Sequence, residues 1–555
     1  MILSGKTILL RFVASNKRII VLTLFAAFIG SLLSVLLPLS IGVYYELSFQ
    51  DNSGKSQLLH DLGINIPDLQ SYFIFFLCFV ILKALSSWAE AIGMRTIEER
   101  FAYRMRYLIF HAQINHSYTT FTRKSAGKYL LRYSSDMLAL QYYLSKGIIK
   151  CIADILFLLL AFSILFRIDA NLTWILAAIM AVSALLMAGL SKLQTSPNEM
   201  RRNSRASLIG FIEQRLQAFT TIKAFNRAHP EEAKFTKRND ALLKSAIGFH
   251  RINALNKSIP QIVVFIAIGT LLYCASPLFS DQPTAHGALL IFILMLLYMQ
   301  SAFRRLLRVP SFLNAGATSF ESLTALLNSP AEVMHTQHDS KDLSKDLSVH
   351  LHGVEFGFSS EATLLRITDW KLSSPGIYRI QGPSGSGKST LLKLLLKLYS
   401  PSKGTIMIGP HNLEEIGAHD LRKIMTIVGE DYPLIGKTIF EAVSYSRKEK
   451  NKSQAASLLS TLGLTTAEQA EQYLAAPLKA QGSNLASSER RMLNFARALL
   501  TRKPILLLDE PFLGLSSEMQ HVVIRELMKR KDNHLLILVA QEIPNELTIQ
   551  HTFSL

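Results

Sequence analysis

Gly382-Pro-Ser-Gly-Ser-Gly-Lys-Ser389 is a complete G-x-x-x-x-G-K-[ST] run, and its flanks decide how the chain is read. The apolar Gly376-Ile-Tyr-Arg-Ile-Gln381 leads into it like a buried strand, and Ser389-Thr-Leu-Leu-Lys-Leu-Leu-Leu-Lys-Leu398 leaves it like a helix. A strand feeding a glycine-rich turn and then a helix N-terminus presents backbone N–H groups and a positive dipole end to phosphate. Lys388 is placed to reach the β- and γ-phosphates of a nucleoside triphosphate, and the Ser389 hydroxyl to ligand Mg²⁺. Gly382, Pro383, Ser384, Gly385, Ser386, Gly387, Lys388, Ser389 and Thr390 are the expected nucleotide-binding residues.

At 555 residues the chain exceeds what one core supports, so two or more domains are expected. Long apolar runs fill roughly the first 310 residues, and the last ~210 read as a soluble α/β domain. The formal net charge of +18 raises nucleic acid as a partner. The basic residues, however, fall between the apolar runs and form no single stripe, which fits the cytoplasmic face of a lipid bilayer and not a nucleic acid. Cys78, Cys151 and Cys274 all lie inside apolar runs and read as packing residues. The apolar run after the basic Met1–Lys17 segment is longer than a signal peptide's core and reads as a first membrane span.

Six segments, approximately 19–45, 70–93, 146–166, 172–193, 257–278 and 285–308, have the length needed to cross a bilayer. Lys and Arg orient them. Residues 46–70 carry Lys55 alone against four acids, and 277–286 carry no Lys or Arg. The stretch between spans two and three holds Arg100, Arg104, Arg106, Arg123, Lys124, Lys128 and Arg132. Both termini and the long connections are therefore expected in the cytoplasm. Those connections, about 94–145 and 194–256, are helical-looking, charged, and far longer than ordinary loops. They suggest a mechanical linkage. Lys83, Glu90 and Asp154 lie within spans, where charge is costly, and are expected to face a cavity or one another.

The division expected is a membrane domain over 1–328, a linker over 329–348 and a nucleotide domain over 349–555. In the last, Val349–Phe358, Gly376–Gln381, Lys423–Val428, Ile505–Asp509 and His534–Ala540 read as strands of a mostly parallel sheet. Ile505-Leu-Leu-Leu-Asp509 ends in a carboxylate suited to hold Mg²⁺, and Glu510 follows in position to polarise an attacking water.

On these motifs the chain resembles the ABC transporters, specifically half-transporters with the six-span exporter fold. The resemblance covers nearly the whole chain. Phe121, Gly127, Arg132 and Asp136 are similar to the family's first intracellular hairpin, and Glu213 with Thr221-Ile-Lys-Ala-Phe225 to its second. Ala496-Arg-Ala-Leu-Leu500 is similar to the helix after the signature motif, and Phe358 stands where the family stacks an aromatic on adenine. The resemblance implies a polytopic α-helical membrane domain of exporter type, followed by an α/β P-loop ATPase domain that binds ATP with Mg²⁺ at a dimer interface.

Four positions depart from the family pattern. Glu430 replaces the glutamine that joins Mg²⁺ to the coupling helices. Leu485-Ala-Ser-Ser-Glu489 replaces the signature LSGGQ, so Ala486 lacks a phosphate-binding hydroxyl and Ser487 and Ser488 add side chains where glycine allows close approach. Gln541 replaces the switch histidine, and Ser516 an aspartate after the second strand motif. Because family members sandwich ATP between one subunit's phosphate loop and the other's signature, these departures damage two different sites.

The expected protein is thus an exporter subunit of a plasma (cell inner) membrane. It is expected to carry Glu510 and Gln541 as catalytic groups and Ser389, Asp509 and Glu430 around the metal. A second half-transporter is the expected partner. Pairing with a different, unimpaired half is favoured over a pair of identical chains, which remains open. The alternative is an ATP-binding regulatory or structural transporter subunit with little or no hydrolysis. The transported substrate is not legible.

Overall fold

The computed structural model describes residues 4–49, 68–122, 129, 132–193, 195–274, 286–332, 346–358, 363–445 and 451–555. The expected loop 46–70, the expected loop 277–286 and the linker 329–348 fall largely outside these, as do Arg123, Lys124, Gly127 and Lys128. The chain divides into two compact units: Met1–Ile114 with Lys124–Ser329, and Asn115–Arg123 with Pro330–Leu555.

Among the described residues the first unit is built of helices. Among the described residues five helical stretches are long and apolar enough to span a membrane: Lys17–Ile41, Leu69–Ile114, Asp136–Ile168, Ala170–Gly189 and Leu289–Leu327. The remaining expected span, 257–278, corresponds to the shorter apolar stretch Gln261–Cys274, beyond which residues 275–285 are not described. Two helices far exceed a bilayer's thickness. Leu69–Ile114 has 46 residues and Ala228–Cys274 has 47, each about 70 Å long at helical rise. Their sequences change from apolar to charged along their length, so one helix serves both as a span and as the start or end of a long connection.

Small residues and ring contacts pack this unit. Phe292, Met295, Met299 and Ala302 are fully buried against Ala161, Leu165, Leu176, Ala267 and Leu271. The short amphipathic helix Gly5–Ser15 is started by Ser4, whose hydroxyl accepts from the Thr7 amide at 3.2 Å. It buries Ile8 and Phe12, with the Phe12 ring edge-on to Phe101 at 4.9 Å. The intramembrane charges are compensated. Arg305 grips Asp154 with two bonds of 2.6 and 2.8 Å, and Lys150 pairs with Glu90. Lys83 donates to the Gly30 carbonyl and the Ser34 hydroxyl.

The second unit holds two sheets. Strands β1 (Val349–Phe356), β2 (Leu365–Leu372), β4 (Lys403–Ile408) and β5 (His411–Asn412) form an antiparallel sheet in the order β2-β1-β4-β5. Strands β3 (Gly376–Gln381), β6 (Met425–Val428), β7 (Ile505–Asp509), β8 (Leu535–Val539) and β9 (His551–Ser554) form a parallel sheet in the order β6-β7-β8-β3-β9. The segment from Val349, expected in the parallel sheet, instead heads the antiparallel one. A connection of only a few residues to β2 suffices for an antiparallel pair, whereas a parallel pair needs a crossover. Strands β7 and β8 are unbroken apolar runs because helices cover both faces of the sheet. From the first long connection, the helix Tyr118–Thr122 belongs to this unit, its Tyr118 ring 5.3 Å from that of Tyr399.

Candidate functional site

Strand order places the site. Because β6, β7, β8 and β3 are neighbours and parallel, their carboxyl ends lie side by side, the position where open α/β sheets bind ligands. Each end hands on a different group: β6 leads to Glu430, β7 to Asp509 and Glu510, β8 to Gln541, and β3 to the loop from Gly382.

That loop turns through Gly385 and Gly387, with φ of +85° and +93°, values that a side chain would strain. Gly387 precedes the helix Lys388–Leu395, so the helix's first amides and its dipole face the loop's hollow. A Cβ built on Gly385 would touch no protein atom, because that side opens into the cleft. The Lys388 side chain, only 8% exposed, curls back so that Nζ donates to the carbonyls of Gly382 and Pro383 at 2.8 Å each.

The cleft measures about 880 Å³. Of the expected residues, Ser384, Gly385, Gly387, Lys388, Ser389, Thr390, Asp509, Glu510 and Gln541 line it. Gly382, Pro383 and Ser386 stand behind its wall. The first two serve Lys388, and Ser386 buries its hydroxyl without a hydrogen-bond partner. Phe358 is not among the lining residues. Its ring is 67% exposed and packs edge-on to Phe356 at 5.3 Å and Tyr399 at 5.7 Å. Glu430 lies on a second, smaller cavity of about 290 Å³ that it shares with Asp509, Ser487, Arg490, Arg491 and Asn494.

The donor set suits Mg²⁺. Burial lifts the Asp509 carboxyl above its ordinary value, with the Ser389 hydroxyl and the Lys388 charge opposing that rise. Asp509 Oδ1 is buried with no hydrogen-bond partner. An orphaned carboxylate oxygen beside a hydroxyl is the oxygen pair that a hard cation needs.

Glu510 sits on strained backbone, with a φ of +46° that is unusual for a side chain of its size. Its amide donates to the Val539 carbonyl at 2.8 Å, and its carboxylate accepts from the Gln541 amide at 3.4 Å. Arg379 of β3 holds the Gln541 segment from beneath, donating to the carbonyls of Ala540 at 3.3 Å and Gln541 at 2.5 Å. Arg491 completes the frame. It donates to the Glu510 carbonyl and lies 3.7 Å from the Glu430 carboxylate. Neither arginine was singled out from sequence. The signals available were a basic residue inside an otherwise buried strand and the Arg490-Arg491 pair just after Glu489.

The segment Leu485–Glu489, expected at the signature position, also makes specific contacts. Ala486 occupies the capping position of the helix Ser487–Leu500 and supplies no side-chain cap. Glu489 accepts a hydrogen bond from the Tyr473 hydroxyl, whose ionisation is pushed up first by burial and then by that carboxylate. Ser516 caps the helix Ser517–Met528, accepting from the Met519 amide at 3.4 Å.

Residues 20–303 match the ABC transporter transmembrane region, and residues 365–513 match the ABC transporter family. An ATP-dependent lipid A-core flippase of Haemophilus influenzae is 22% identical over 468 residues, 84% of this chain and 79% of that one. The uncharacterized ABC transporter ATP-binding protein YknV of Bacillus subtilis is 23% identical over 516 residues, 93% and 83% of the two chains. A bacterial Atm1-family ABC exporter solved with ATP bound superimposes with a TM-score of 0.74 at 19% identity, over 95% of this chain and 91% of that one. The chain therefore belongs to the ABC transporter family, as a half-transporter in which a multi-pass, exporter-type membrane domain is fused to one ATPase domain whose ATP hydrolysis drives transport.

Proposed function

We propose that this chain is the degenerate half of a heterodimeric exporter of the plasma membrane, with both termini in the cytoplasm. Its phosphate loop takes the triphosphate of MgATP on the amides following Gly385 and on Lys388. Ser389 and Asp509 would hold Mg²⁺, with the Glu430 carboxylate nearby, and the ion would neutralise charge on the phosphates. Glu510 orients and deprotonates the attacking water, and Gln541 donates a hydrogen bond toward the γ-phosphate. Without a histidine's positive charge at that position, the transition state loses support that is typically worth ~10²–10³ in rate. The partner's phosphate loop would meet Ala486, Ser487 and Ser488 in place of a hydroxyl and two glycines.

The observation that carries this reading is the convergence of Lys388, Ser389, Asp509, Glu510 and Gln541 on one cleft at the sheet's carboxyl edge. Similarity to relatives named as ATP-dependent lipid A-core flippases supports trying a lipid A-like amphiphile first as substrate. The test uses the purified full chain, alone and with its partner half. Lys388→Ala should abolish ATP binding, and Glu510→Gln should keep binding while stopping turnover. Unchanged turnover in both variants overturns the assignment.

A second reading, in which ATP holds the dimer together without productive turnover, is favoured by the Glu430 carboxylate beside Asp509. Substrate-stimulated phosphate release from the assembled pair would eliminate it.

A further inference from the structure

The outer face of the antiparallel sheet carries a cluster that the ATPase cleft does not use. His350 and His352 are two apart on β1, so both imidazoles stand on the same side of the sheet. The alternate residues Val349 and Leu351 are buried, which fixes the histidines on the solvent side. Strand pairing sets Asp369 of β2 directly opposite His352 and diagonal to His350. The carboxylate Oδ1 lies 2.5 Å from His350 Nε2 and 3.5 Å from His352 Nδ1. Among the described residues its ion-pair partners are these two imidazoles, while Lys371, paired in register with His350, stands on the same face two residues along β2.

We propose that His350, His352 and Asp369 form a binding site for a divalent transition-metal ion such as Zn²⁺ or Ni²⁺. Three observations support it. The ligand set is two imidazoles and one carboxylate, the borderline-soft combination that such ions prefer over Mg²⁺ or Ca²⁺. The candidate ligand atoms all lie within 4.8 Å of one another, so small rotations of exposed side chains bring them to about 2.0–2.2 Å from one centre. The backbone is already fixed by antiparallel pairing from Val349 to Phe356, so little order must be created on binding. The remaining coordination positions face solvent and hold water, which makes the ion exchangeable.

An ion here clamps β1 to β2. The clamp bears on the nucleotide site, because Leu364 and Leu365, where β2 begins, stand beside Gly387 of the phosphate loop, 3.5 and 3.3 Å from where a Cβ on that glycine would lie.

The test uses the full chain in detergent micelles, purified without a polyhistidine tag. Titration with Ni²⁺ followed by calorimetry should show one equivalent bound that is absent from the His350→Ala/His352→Ala variant and weakened at least about tenfold in Asp369→Asn. Cu²⁺ substituted at the site should show magnetic coupling to two imidazole nitrogens in the unaltered chain. All three side chains are exposed, so these variants should retain the unaltered chain's unfolding temperature in the absence of metal. The same Ni²⁺ stoichiometry and affinity in the double-histidine variant, or coupling to fewer than two nitrogens, overturns the proposal.

Discussion

Arg491 stands between Glu430 and Glu510: one guanidinium reaches the carboxylate of the first at 3.7 Å and hydrogen-bonds the backbone carbonyl of the second. The Glu430 side chain is 86% exposed, so this contact is a loose one. The firmer of the two is the hydrogen bond by which Arg491, on the helix Ser487–Leu500, steadies the strained backbone at Glu510.

On the proposed reading, in which the Glu430 carboxylate stands near the γ-phosphate, Glu430→Gln should raise phosphate release by the assembled pair by about tenfold, equivalent to about 1.4 kcal/mol off the barrier. Arg491→Ala should lower it by roughly ten- to a hundred-fold, the worth of a hydrogen bond to a charged group. The double variant separates the two roles. If it matches Glu430→Gln alone, Arg491 acts only by restraining Glu430; if it stays slow, the bond to the Glu510 carbonyl matters in its own right.

Asp509 gives a prediction in pH. Burial raises its carboxyl value in the folded chain, so its contribution to stability is fully present below the ordinary carboxylate range and is lost as pH rises through the raised value. At neutral pH the nucleotide-free domain bears a charge that burial opposes. Asp509→Asn should therefore raise the unfolding temperature of the nucleotide-free chain at pH 7, with the gain vanishing below about pH 4. The same variant should lose most of the stabilisation that MgATP gives the unaltered chain. A nucleotide-free unfolding temperature that falls at pH 7 would contradict the burial argument.

How far sequence reaches is clear from these residues. Strand β7 was legible because a strand covered on both faces must be continuously apolar, and its function requires acids where it ends. Strand β2 was not. Leu365–Leu372 mixes Arg366, Asp369 and Lys371 into its run, and its identity as a strand comes from pairing with β1. Arg379 and Arg491 act by donating to backbone carbonyls, and a carbonyl leaves no mark in sequence. The resemblance supplied Phe358 as the adenine platform, while the aromatic cluster with Phe356 and Tyr399 that now holds its ring depends on side-chain packing.

The capping position of the helix Ser487–Leu500 gives a further test. Ala486 precedes Ser487–Leu500 without any side-chain acceptor for the free amides of the first turn. Ala486→Ser restores one and should stabilise the nucleotide domain by about 1 kcal/mol, the usual worth of an N-cap. On the proposed reading it also restores a hydroxyl that would face the partner's nucleotide. Unfolding by denaturant reads the first effect, and ATPase of a pair whose own cleft is silenced by Lys388→Ala reads the second. Stability rising without ATPase would show that the signature's loss lies in Ser487, Ser488 and Glu489.

Inside the membrane unit, Asp154 is 4% exposed at its side chain and is held by two bonds from Arg305, contributed by a helix more than a hundred residues later. Both charges lie in helices that cross the bilayer, where an unpaired charge has no water to turn to. Asp154→Ala should strand the guanidinium and destabilise the unit by about 3–5 kcal/mol, whereas replacing both residues together by apolar ones of similar volume should cost far less. The measurement is thermal unfolding of the purified chain in detergent, single variants against the double. If Asp154→Ala and Arg305→Met each leave the unfolding temperature unchanged and transport alone fails, the pair is not a structural tie, and Arg305 is held ready for something that enters the bundle.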